Sequence, residues 1–365
     1  MRRIFTFILG LCLILITISA QGANFSVTNL NDSGPGSLRQ AFQDAEANGD
    51  SEQDIISIDI AGTINLTTAN SPGFNLLPNL NNVSIIGHSS GTTLRRDPSV
   101  FGRFFQITSS QISGIVFDGG NSILTGGALF VSGTSVIESC TFLNNVAGSN
   151  AHPGGDNTGF GSGGAIRVNG SDAVLTLNDC TFTENRAQNG AAIRIFPGAT
   201  INLNNCTFSG NIVDNGGNDG TQSTIYNQGT ANLVGNVIAN TVPEGTPDLY
   251  DVGTTIEINI NNLVEICNGP GCTTGGAASG FAFTQDPQLG PLQNNGQGIP
   301  TFAILPSSPL IDFNIGTFPV GTEVMQNEGD LVKDLPVMGQ WSKAFLILIL
   351  LGSSLFLLLS RKNNF

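Results

Sequence analysis

The chain has 365 residues and carries 27 acidic side chains against 13 basic ones, which gives a formal net charge of −14. A nucleic-acid-binding protein needs the opposite balance, so the composition excludes that class. The only histidines, His88 and His152, belong to different loops, which argues against a zinc site built on histidine.

The first 23 residues have the three parts of a secretory signal peptide. Arg2 and Arg3 form a basic start, an apolar run follows over 4–19, and small residues within 20–23 provide the cleavage site. A retained membrane anchor is the alternative. Removal of the signal peptide leaves an exported part, 24–342, with 27 acidic and 8 basic residues, a net charge of about −19. Acidity of this kind favours solubility.

One short helix is predicted in "SLRQAFQDAEANG" at 37–49. Ser37 is the expected N-cap, Gln40 follows at the distance of a capping box, and Asn48–Gly49 ends the helix. The apolar side chains of the segment share one face: Leu38, Ala41, Phe42 and Ala45.

The middle of the chain contains an internal repeat of two elements. The first element reads "IVFDGG" at 115–120, "CTFLNN" at 140–145, "CTFTEN" at 180–185, "CTFSGN" at 206–211 and "GNVIAN" at 235–240. The second reads "GGAL" at 126–129, "GGAI" at 163–166 and "GAAI" at 190–193. Most repeats are about 25 to 30 residues long, a period typical of solenoids. A Gly/Asn/Ser-rich surplus over 147–162 predicts an inserted loop.

This repeat predicts an all-β, parallel β-helix, because its units hold short alternating strands and no helix-length periodic segment. The recurring apolar positions become core columns: Phe142, Phe182 and Phe208, beside the free thiols of Cys140, Cys180 and Cys206. In "GNVIAN", Gly235 and Val237 are assigned to the Cys and Phe positions. The recurring asparagines predict an amide ladder: Asn145, Asn185, Asn211 and Asn240. We expect the 37–49 helix to cover the open N-terminal end of the solenoid.

Cys267 and Cys272, in "CNGPGC", are predicted to form a small loop disulfide, since an exported chain meets an oxidising compartment.

A catalytic site is not well supported by the sequence. Arg167 and Arg194 lie one coil apart and are expected to stack on one outer face, with Asp172 in the first of these coils. They are the best available constellation for a polysaccharide lyase or hydrolase. Exposed strands carry arginine routinely, however, and the exported domain ahead of the tail has no Trp and only two Tyr for stacking sugars. We therefore predict no catalytic residues and no enzyme activity, with this trio as the alternative.

No metal site is predicted either. The loop "NAHPGGDN" at 150–157 offers Asp156 and carbonyl groups to a cation, but it lacks the spacing of a calcium loop. Calcium therefore remains only an alternative to the expectation of no cofactor.

The C-terminal end predicts a transmembrane helix. The run from Trp341 to Leu359 is apolar apart from a few residues, and Arg361 and Lys362 follow it at once. Basic residues beyond the span should stay cytoplasmic, which agrees with export of the preceding chain.

Three stretches resemble known families. "VTNLNDSGPGSLRQAF" and "DIISIDIAGTINL" resemble the N-terminal part of secreted right-handed β-helix proteins with an SLR(E/Q)A signature. The repeats are similar to theirs and to those of polymorphic outer-membrane proteins. "DPQLGPLQNNGQGIPTFAILPSSPLIDFN" at 286–314 resembles the closing segment of the choice-of-anchor Q domain. The resemblance covers about 25–315 and implies a right-handed parallel β-helix on a bacterial surface.

The tail is similar to the tripartite sorting tails of the IPTL type. The motif residues would be Leu335, Pro336, Val337 and Met338, with Trp341, Arg361 and Lys362 after them. Only Pro336, the hydrophobic residue before it and Trp341 agree with the pattern. The resemblance implies recognition by an exosortase-like transpeptidase, and a simple membrane anchor is the alternative.

Together these observations divide the chain into four parts: a signal peptide at 1–23, a capped β-helix at 24–265, a closing segment at 266–330 and a sorting tail at 331–365. The expected function is adhesion or a structural role at the bacterial cell envelope, with membrane attachment through the C-terminal helix and an unknown surface ligand or glycan as partner. A polysaccharide lyase or hydrolase on the same scaffold is the alternative.

Overall fold

A computed structural model describes residues 22–49, 52–69, 75–123, 125–148, 161–214, 222–253, 255–258, 262–269, 272, 286–296, 298–311 and 322–324. The predicted signal peptide up to residue 21, residues 149–160 with His152 and Asp156, and the predicted sorting tail lie outside these ranges. Within them, no helix is both long and apolar enough to cross a membrane.

The chain forms an all-β, right-handed parallel solenoid of about eight turns, which confirms the predicted parallel β-helix. Four parallel sheets run along it, and each turn contributes one strand to most of them. Sheet A contains β1 (Asn24–Val27), β2 (Asp54–Ile58), β5 (Val83–Ile86), β8 (Gln111–Ser113), β12 (Thr134–Glu138), β16 (Val174–Asn178), β20 (Thr200–Asn204), β24 (Thr230–Val234) and β27 (Thr255–Ile258). Sheet B contains β3 (Gly62–Leu66), β6 (Thr92–Arg96), β9 (Ile115–Asp118), β13 (Thr141–Leu143), β17 (Thr181–Thr183), β21 (Thr207–Ser209), β25 (Val237–Ala239) and β28 (Leu263–Val264).

The other two sheets complete each turn. Sheet C contains β4 (Leu80–Asn81), β7 (Phe105–Thr108), β11 (Leu129–Val131), β15 (Ile166–Val168), β19 (Ile193–Ile195), β23 (Ile225–Asn227), β26 (Leu249–Asp251) and β29 (Cys267–Asn268). Sheet D contains β10 (Asn121–Ser122), β14 (Val146–Ala147), β18 (Arg186–Ala187) and β22 (Ile212–Val213). The second repeat element thus leads into sheet C, and the first forms sheet B and its corners.

The predicted helix is α1 (Leu38–Asn48), and it packs on the core beside the first strands. Its predicted apolar face is buried, and the Phe42 ring meets the Phe105 ring edge-on at 5.3 Å between centres. Ser37 caps the helix by accepting a hydrogen bond from the Gln40 backbone N–H. The capping box is only half formed, because the Gln40 side chain donates to Asp44 instead of returning to Ser37.

The predicted phenylalanine column lies in the core of sheet B. Phe142, Phe182 and Phe208 are fully buried, and neighbouring rings stack at 4.5–4.6 Å with interplanar angles of 5–7°. Phe117 extends the stack one turn earlier. The cysteine column runs beside it, where Cys140, Cys180 and Cys206 are buried free thiols. Burial raises the pKa of the Cys140 thiol to about 12.

The asparagine ladder forms at three of its four predicted positions. Asn145 donates through Nδ2 to the Asn185 Oδ1 at 2.9 Å, and Asn185 donates in the same way to Asn211 at 3.0 Å. Each amide also donates to the carbonyl of a core phenylalanine in an adjacent turn. These buried backbone groups would otherwise lack partners, so the ladder closes the corner between sheets B and D.

The last repeat has a register one residue later than predicted. Thr207 pairs with Val237, so Asn236 and Ile238, not Gly235 and Val237, occupy the Cys and Phe positions. The reason is local: the turn is 30 residues long, one more than the alignment of the asparagines assumes.

The register correction removes Asn240 from the ladder. Its backbone has a positive φ of 57°, and its amide bonds to the Ser209 hydroxyl. A second ladder takes over in the former cysteine column, where Asn236 Nδ2 donates to Asn262 Oδ1 at 2.8 Å. At this point the core column changes from Cys to Asn, and the Asn236 amide accepts a hydrogen bond from the Cys206 backbone N–H and donates one to the Leu203 carbonyl. A thiol is a weaker donor and acceptor than an amide.

The segment after the solenoid forms a hairpin alongside sheet B. Its strands are β30 (Leu289–Asn294) and β31 (Pro300–Ile304), with a short 3₁₀ helix at Pro309–Ile311 and a third strand, β32 (Thr322–Val324). The Thr141 hydroxyl donates to the Pro300 carbonyl at 2.8 Å. Ile304 is buried with Val237 and Leu263 of the last turns. The hairpin therefore covers part of the outer side of sheet B.

The structure joins Cys267 and Cys272 by a disulfide, the pairing that the sequence predicts. Cys267 belongs to β29, so this loop is attached to the last strand of sheet C.

Candidate ligand-binding strip on sheet C

The outward side chain at the centre of each sheet C strand forms a column. Arg167 and Arg194 occupy it in register, as their spacing predicts, and aromatic residues hold the neighbouring positions. From β7 to β26 the column reads Gln106, Phe130, Arg167, Arg194, Tyr226 and Tyr250. The position follows directly from the repeat, because it is the residue after the inward Leu or Ile of each second element.

Aromatic rings flank both arginines of this column, because Phe196, from the turn after β19, lies against both guanidinium groups. The guanidinium carbon of Arg167 lies 4.9 Å from the Phe130 ring centre and 4.3 Å from that of Phe196. Arg194 is next, 4.9 Å from the Phe196 centre and 3.5 Å from the Tyr226 centre. Cation–π contacts of this length hold each guanidinium against a ring. The arginines are therefore fixed in position before any ligand arrives.

Both ends of the row continue the pattern. Arg103 lies 5.4 Å from the Phe130 ring centre, and the Tyr226 and Tyr250 rings are 5.4 Å apart. We call the complete set the cationic–aromatic strip: Arg103, Phe130, Arg167, Phe196, Arg194, Tyr226 and Tyr250. Arg194 and Tyr226 are only 8% and 6% exposed, whereas the other members of the strip are partly exposed to solvent.

The strip concentrates positive charge. Burial, with a smaller contribution from the nearby positive charge of Arg167, lowers the pKa of Arg103 to about 10. Burial also lowers the pKa of Arg167. In the described part of the chain neither of these two arginines forms a salt bridge, and neither Nε has a hydrogen-bond partner there.

Other arginines of the same chain are paired. Arg39, Arg95 and Arg186 each bond an aspartate at 2.5–2.7 Å. In the described residues Arg103 and Arg167 donate instead to hydroxyl groups, those of Ser122 and Thr125. Partly desolvated arginines that repel each other and lack a carboxylate partner are unusual in a chain with twice as many acidic as basic residues. An anion placed between Arg103 and Arg167 would relieve the repulsion and restore the lost solvation.

The third residue of the catalytic alternative lies elsewhere. Asp172 is on the exposed turn between β15 and β16, and within the described ranges it forms no salt bridge. The structure therefore brings Arg167 and Arg194 together without Asp172.

A second feature is an acidic cavity of about 480 Å³ beside the last turns. Glu244, Asp248, Glu265 and Asp286 contribute to its wall. Asp248 is 1% exposed and accepts hydrogen bonds from the Thr241 hydroxyl and from a backbone N–H in the last turn. Burial, with a smaller contribution from the charge of Glu265, raises the pKa of Asp248 to about 7, although the hydrogen bonds oppose the shift.

The acidic cavity has no metal-binding geometry in the described residues, where no three His, Cys, Asp or Glu side chains are arranged around a common point that could hold an ion. Asp156, the sequence's calcium candidate, lies outside those residues.

Sequence reasoning missed the aromatic members of the strip. Phe130 stands in "GGALFV" where Arg167 stands in "GGAIRV", and Tyr226 stands in the same place in "STIYNQ". The position could have been found by aligning the second repeat elements and reading the residue after the inward Leu or Ile.

Comparison with models of known protein families gives no match for this chain, and no curated protein matches it either.

Proposed function

We propose that this chain is an exported β-helix protein of the bacterial cell envelope that binds a linear acidic polysaccharide along the cationic–aromatic strip. Its role is adhesion. The observation that carries the proposal is the pair Arg103 and Arg167, which are close, partly buried and without a carboxylate partner in the described residues, in an acidic protein.

Charge supports an anionic ligand. A guanidinium group is a planar donor that matches a carboxylate or sulfate oxygen pair, and its strength grows when water is excluded. The surrounding chain repels polyanions, so the strip supplies a local attraction with little non-specific binding. The strip should bind a regularly charged polymer more tightly than a single anion, because several anionic groups of the polymer can each contact an arginine.

The aromatic members support a sugar ligand. The C–H faces of a sugar ring pack on a flat aromatic ring, and Phe130, Phe196 and Tyr250 are only partly buried. Successive turns lie about 4.8 Å apart. A sugar unit in a linear chain advances by a similar distance, so one unit can meet one turn.

Binding, and not cleavage, suits the arrangement. Polysaccharide lyases and hydrolases need a base or a pair of carboxylates at the reacting atoms. Asp172 is not beside the arginines, and a guanidinium group stays protonated at neutral pH even where burial lowers its pKa, so it is poorly suited to act as a base.

The location remains part of the proposal. The basic and apolar N-terminus, the tail with Pro336 and Trp341, and the resemblance to choice-of-anchor Q proteins support export followed by attachment at the envelope. The tail would be processed by an exosortase-like enzyme or would stay as a membrane anchor.

The test measures binding of the mature full-length chain to immobilised polygalacturonate, with neutral dextran for comparison. We expect binding to polygalacturonate alone, weakening as salt rises because screening acts on the charges. Arg167→Gln should lower the affinity at least tenfold. The matched control is Arg186→Gln, which removes an exposed, paired arginine from sheet D.

Equal loss in both arginine variants would show that net charge and not the strip is responsible, and would contradict the proposal. Absence of binding to polygalacturonate, alginate and sulfated glycans by a folded chain would contradict it as well. Release of unsaturated uronate, lost in Arg167→Gln, would instead assign lyase activity to the strip.

A further inference from the structure

The first eight strands of sheet A, β1 to β24, present an outward face almost without charge. Its outward side chains form two complete columns over eight strands, β1 to β24. One column reads Asn24, Ile55, Ser84, Gln111, Val136, Thr176, Asn202 and Asn232. The other reads Ser26, Ser57, Ile86, Ser113, Glu138, Asn178, Asn204 and Val234. Among these described positions only Glu138 is charged.

Side-chain hydrogen bonds order part of this face. Asn202 Nδ2 donates to the Thr176 hydroxyl at 3.1 Å, and Asn232 Nδ2 donates to Asn202 Oδ1 at 2.8 Å. In the other column Asn204 donates to Asn178 at 2.9 Å. Groups already held in one conformation lose little entropy when a partner binds, so the face is prepared for contact.

The same face carries exposed aliphatic side chains. The exposed fractions of Ile55, Ile86 and Val234 are 36%, 44% and 38%, and only two other large hydrophobic residues in the described part of the chain are exposed. Three of the five exposed large hydrophobic residues in the described part of the chain therefore lie on this weakly charged face. Such a combination marks interaction surfaces.

We propose that a second copy of this chain docks here, sheet A against sheet A, in a two-fold symmetric pair. Two molecules that each carry a charge of about −19 repel each other through most of their surfaces. Desolvated like charges facing one another cost several kcal/mol at an interface, and sheet A avoids this cost. Its polar ladders and scattered aliphatic groups can pack on an identical surface because an isologous contact pairs one patch with itself.

The size of the face sets the strength of the contact. Eight strands at about 4.8 Å and five residues at about 3.3 Å give a patch of roughly 600 Å² per partner. A stable interface buries about 800 Å² per partner, so sheet A lies below that value. The dimer should be weak and should dissociate on dilution.

Symmetry predicts where the two copies touch. If the whole face is used, the two-fold axis passes through its centre, between β8 and β12. Gln111 and Val136 are paired neighbours there and border a shallow depression in the face. Each should lie close to the same residue of the second copy. The strips on sheet C take no part in this contact, so the dimer would bind two polysaccharide chains if the proposed function holds.

The first test is sedimentation velocity of the mature full-length chain in one detergent over a hundredfold range of concentration. We expect a monomer–dimer equilibrium in the wild type and at least tenfold weaker association for Thr176→Glu with Asn202→Glu. The matched control is Asn31→Glu with Ser33→Glu, which adds the same charge at exposed positions of the loop before α1. The C-terminal tail is identical in all three chains, so its own association cancels from the comparison.

The second test does not depend on added charge. Gln111→Cys should give a disulfide-linked dimer under mild oxidation, and Asn31→Cys should stay monomeric. Equal cross-linking at both positions, or association that is the same in both double variants, would overturn the proposal. Adsorption of the wild type to an insoluble neutral polysaccharide, lost only with Thr176→Glu and Asn202→Glu, would assign sheet A to that ligand instead. None of these outcomes depends on whether sheet C binds polygalacturonate.

Discussion

The interior column of sheet B and the outer strip of sheet C are both rows of aromatic side chains on the same repeat, yet they are built differently. Inside, Phe142, Phe182 and Phe208 repeat one ring in one orientation, with stacking angles of 5–7°. Outside, phenylalanine, arginine and tyrosine share a single position. The interior must fill the same volume in every turn, whereas the outer position is free to vary.

The difference separates two kinds of information in a repeat protein. A position that keeps one residue type reports packing, because any change leaves a cavity or a clash. A position whose neighbours are constant while its own residue changes is not fixed by packing. Arg167 and Tyr226 occupy such a position, and their types therefore point to what the surface binds.

The most direct test of this difference between the two columns is to truncate one ring from each. Phe182→Ala should lower the free energy of unfolding by about 3–5 kcal/mol, because a fully buried ring leaves a cavity. Phe130→Ala should cost about 1 kcal/mol or less, because this ring is partly exposed. Chemical denaturation followed by circular dichroism measures both. Binding to polygalacturonate should show the reverse order, with loss in Phe130→Ala.

A similar cost in both variants would mean that the strip is a second packing column and not a binding surface.

The second prediction concerns the acidic cavity and its pH dependence. Folding raises the pKa of Asp248 from 3.8 to about 7, so its stabilising contribution is fully present below pH 3.8. The contribution is lost as the pH rises through 7, since the folded state then has to hold a buried charge. The loss should reach up to about 4 kcal/mol.

The measurement compares wild type with Asp248→Asn between pH 4 and pH 8. The wild-type free energy of unfolding, relative to the variant, should fall with rising pH. Carboxylates that do not interact with Asp248 titrate alike in both proteins and cancel from the difference. A relative stability that rises with pH would show that Asp248 is held as an anion.

Much of the scaffold was predictable because translation along a solenoid repeats the same interactions. The Phe and Cys columns and three ladder positions followed from identical residues at equivalent places in successive turns, and α1 followed from its N-cap and its apolar face. The same repetition explains why the prediction for Asn240 was wrong. Its turn is one residue longer than assumed, so aligning the asparagines by residue type concealed a one-residue shift. The pairing of Thr207 with Val237 reveals that shift.

The strip was less predictable because no single residue type marks it. Arg167 and Arg194 were found by their identity, and Phe130 was overlooked as one more apolar residue. Phe196 comes from the turn after β19, and only the backbone path brings its ring between the two arginines. The pKa of Asp248 depends on burial beneath the last turn, a contact distant in sequence from its own strand.

The third prediction compares an interior ladder with a surface one. Asn185→Ala should cost about 2–3 kcal/mol, because it removes hydrogen bonds of buried amide and carbonyl groups, including that of Phe142. Asn204→Ala, in the ladder on sheet A, should cost about 1 kcal/mol or less, because water replaces the lost bond to Asn178.

Thermal unfolding under one buffer condition is sufficient for this pair. Equal costs would indicate that water does not reach the sheet A ladder in solution, and at high protein concentration that is also what the proposed dimer would produce. Repeating the measurement at low concentration, where the dimer dissociates, separates these explanations.

The smallest expected effect concerns the paired arginines. Arg95 bonds Asp118 at 2.7 Å, but its side chain is 53% exposed. Exposed ion pairs contribute about 0–1 kcal/mol because water screens the attraction and the long side chain loses entropy. Arg95→Gln should therefore change the unfolding free energy by less than about 1 kcal/mol and leave polygalacturonate binding unaltered. Arg167→Gln removes the same formal charge, so a shared loss of binding would contradict a localised site. A loss confined to Arg167→Gln would show that what matters is the arginine's place among the rings of the strip.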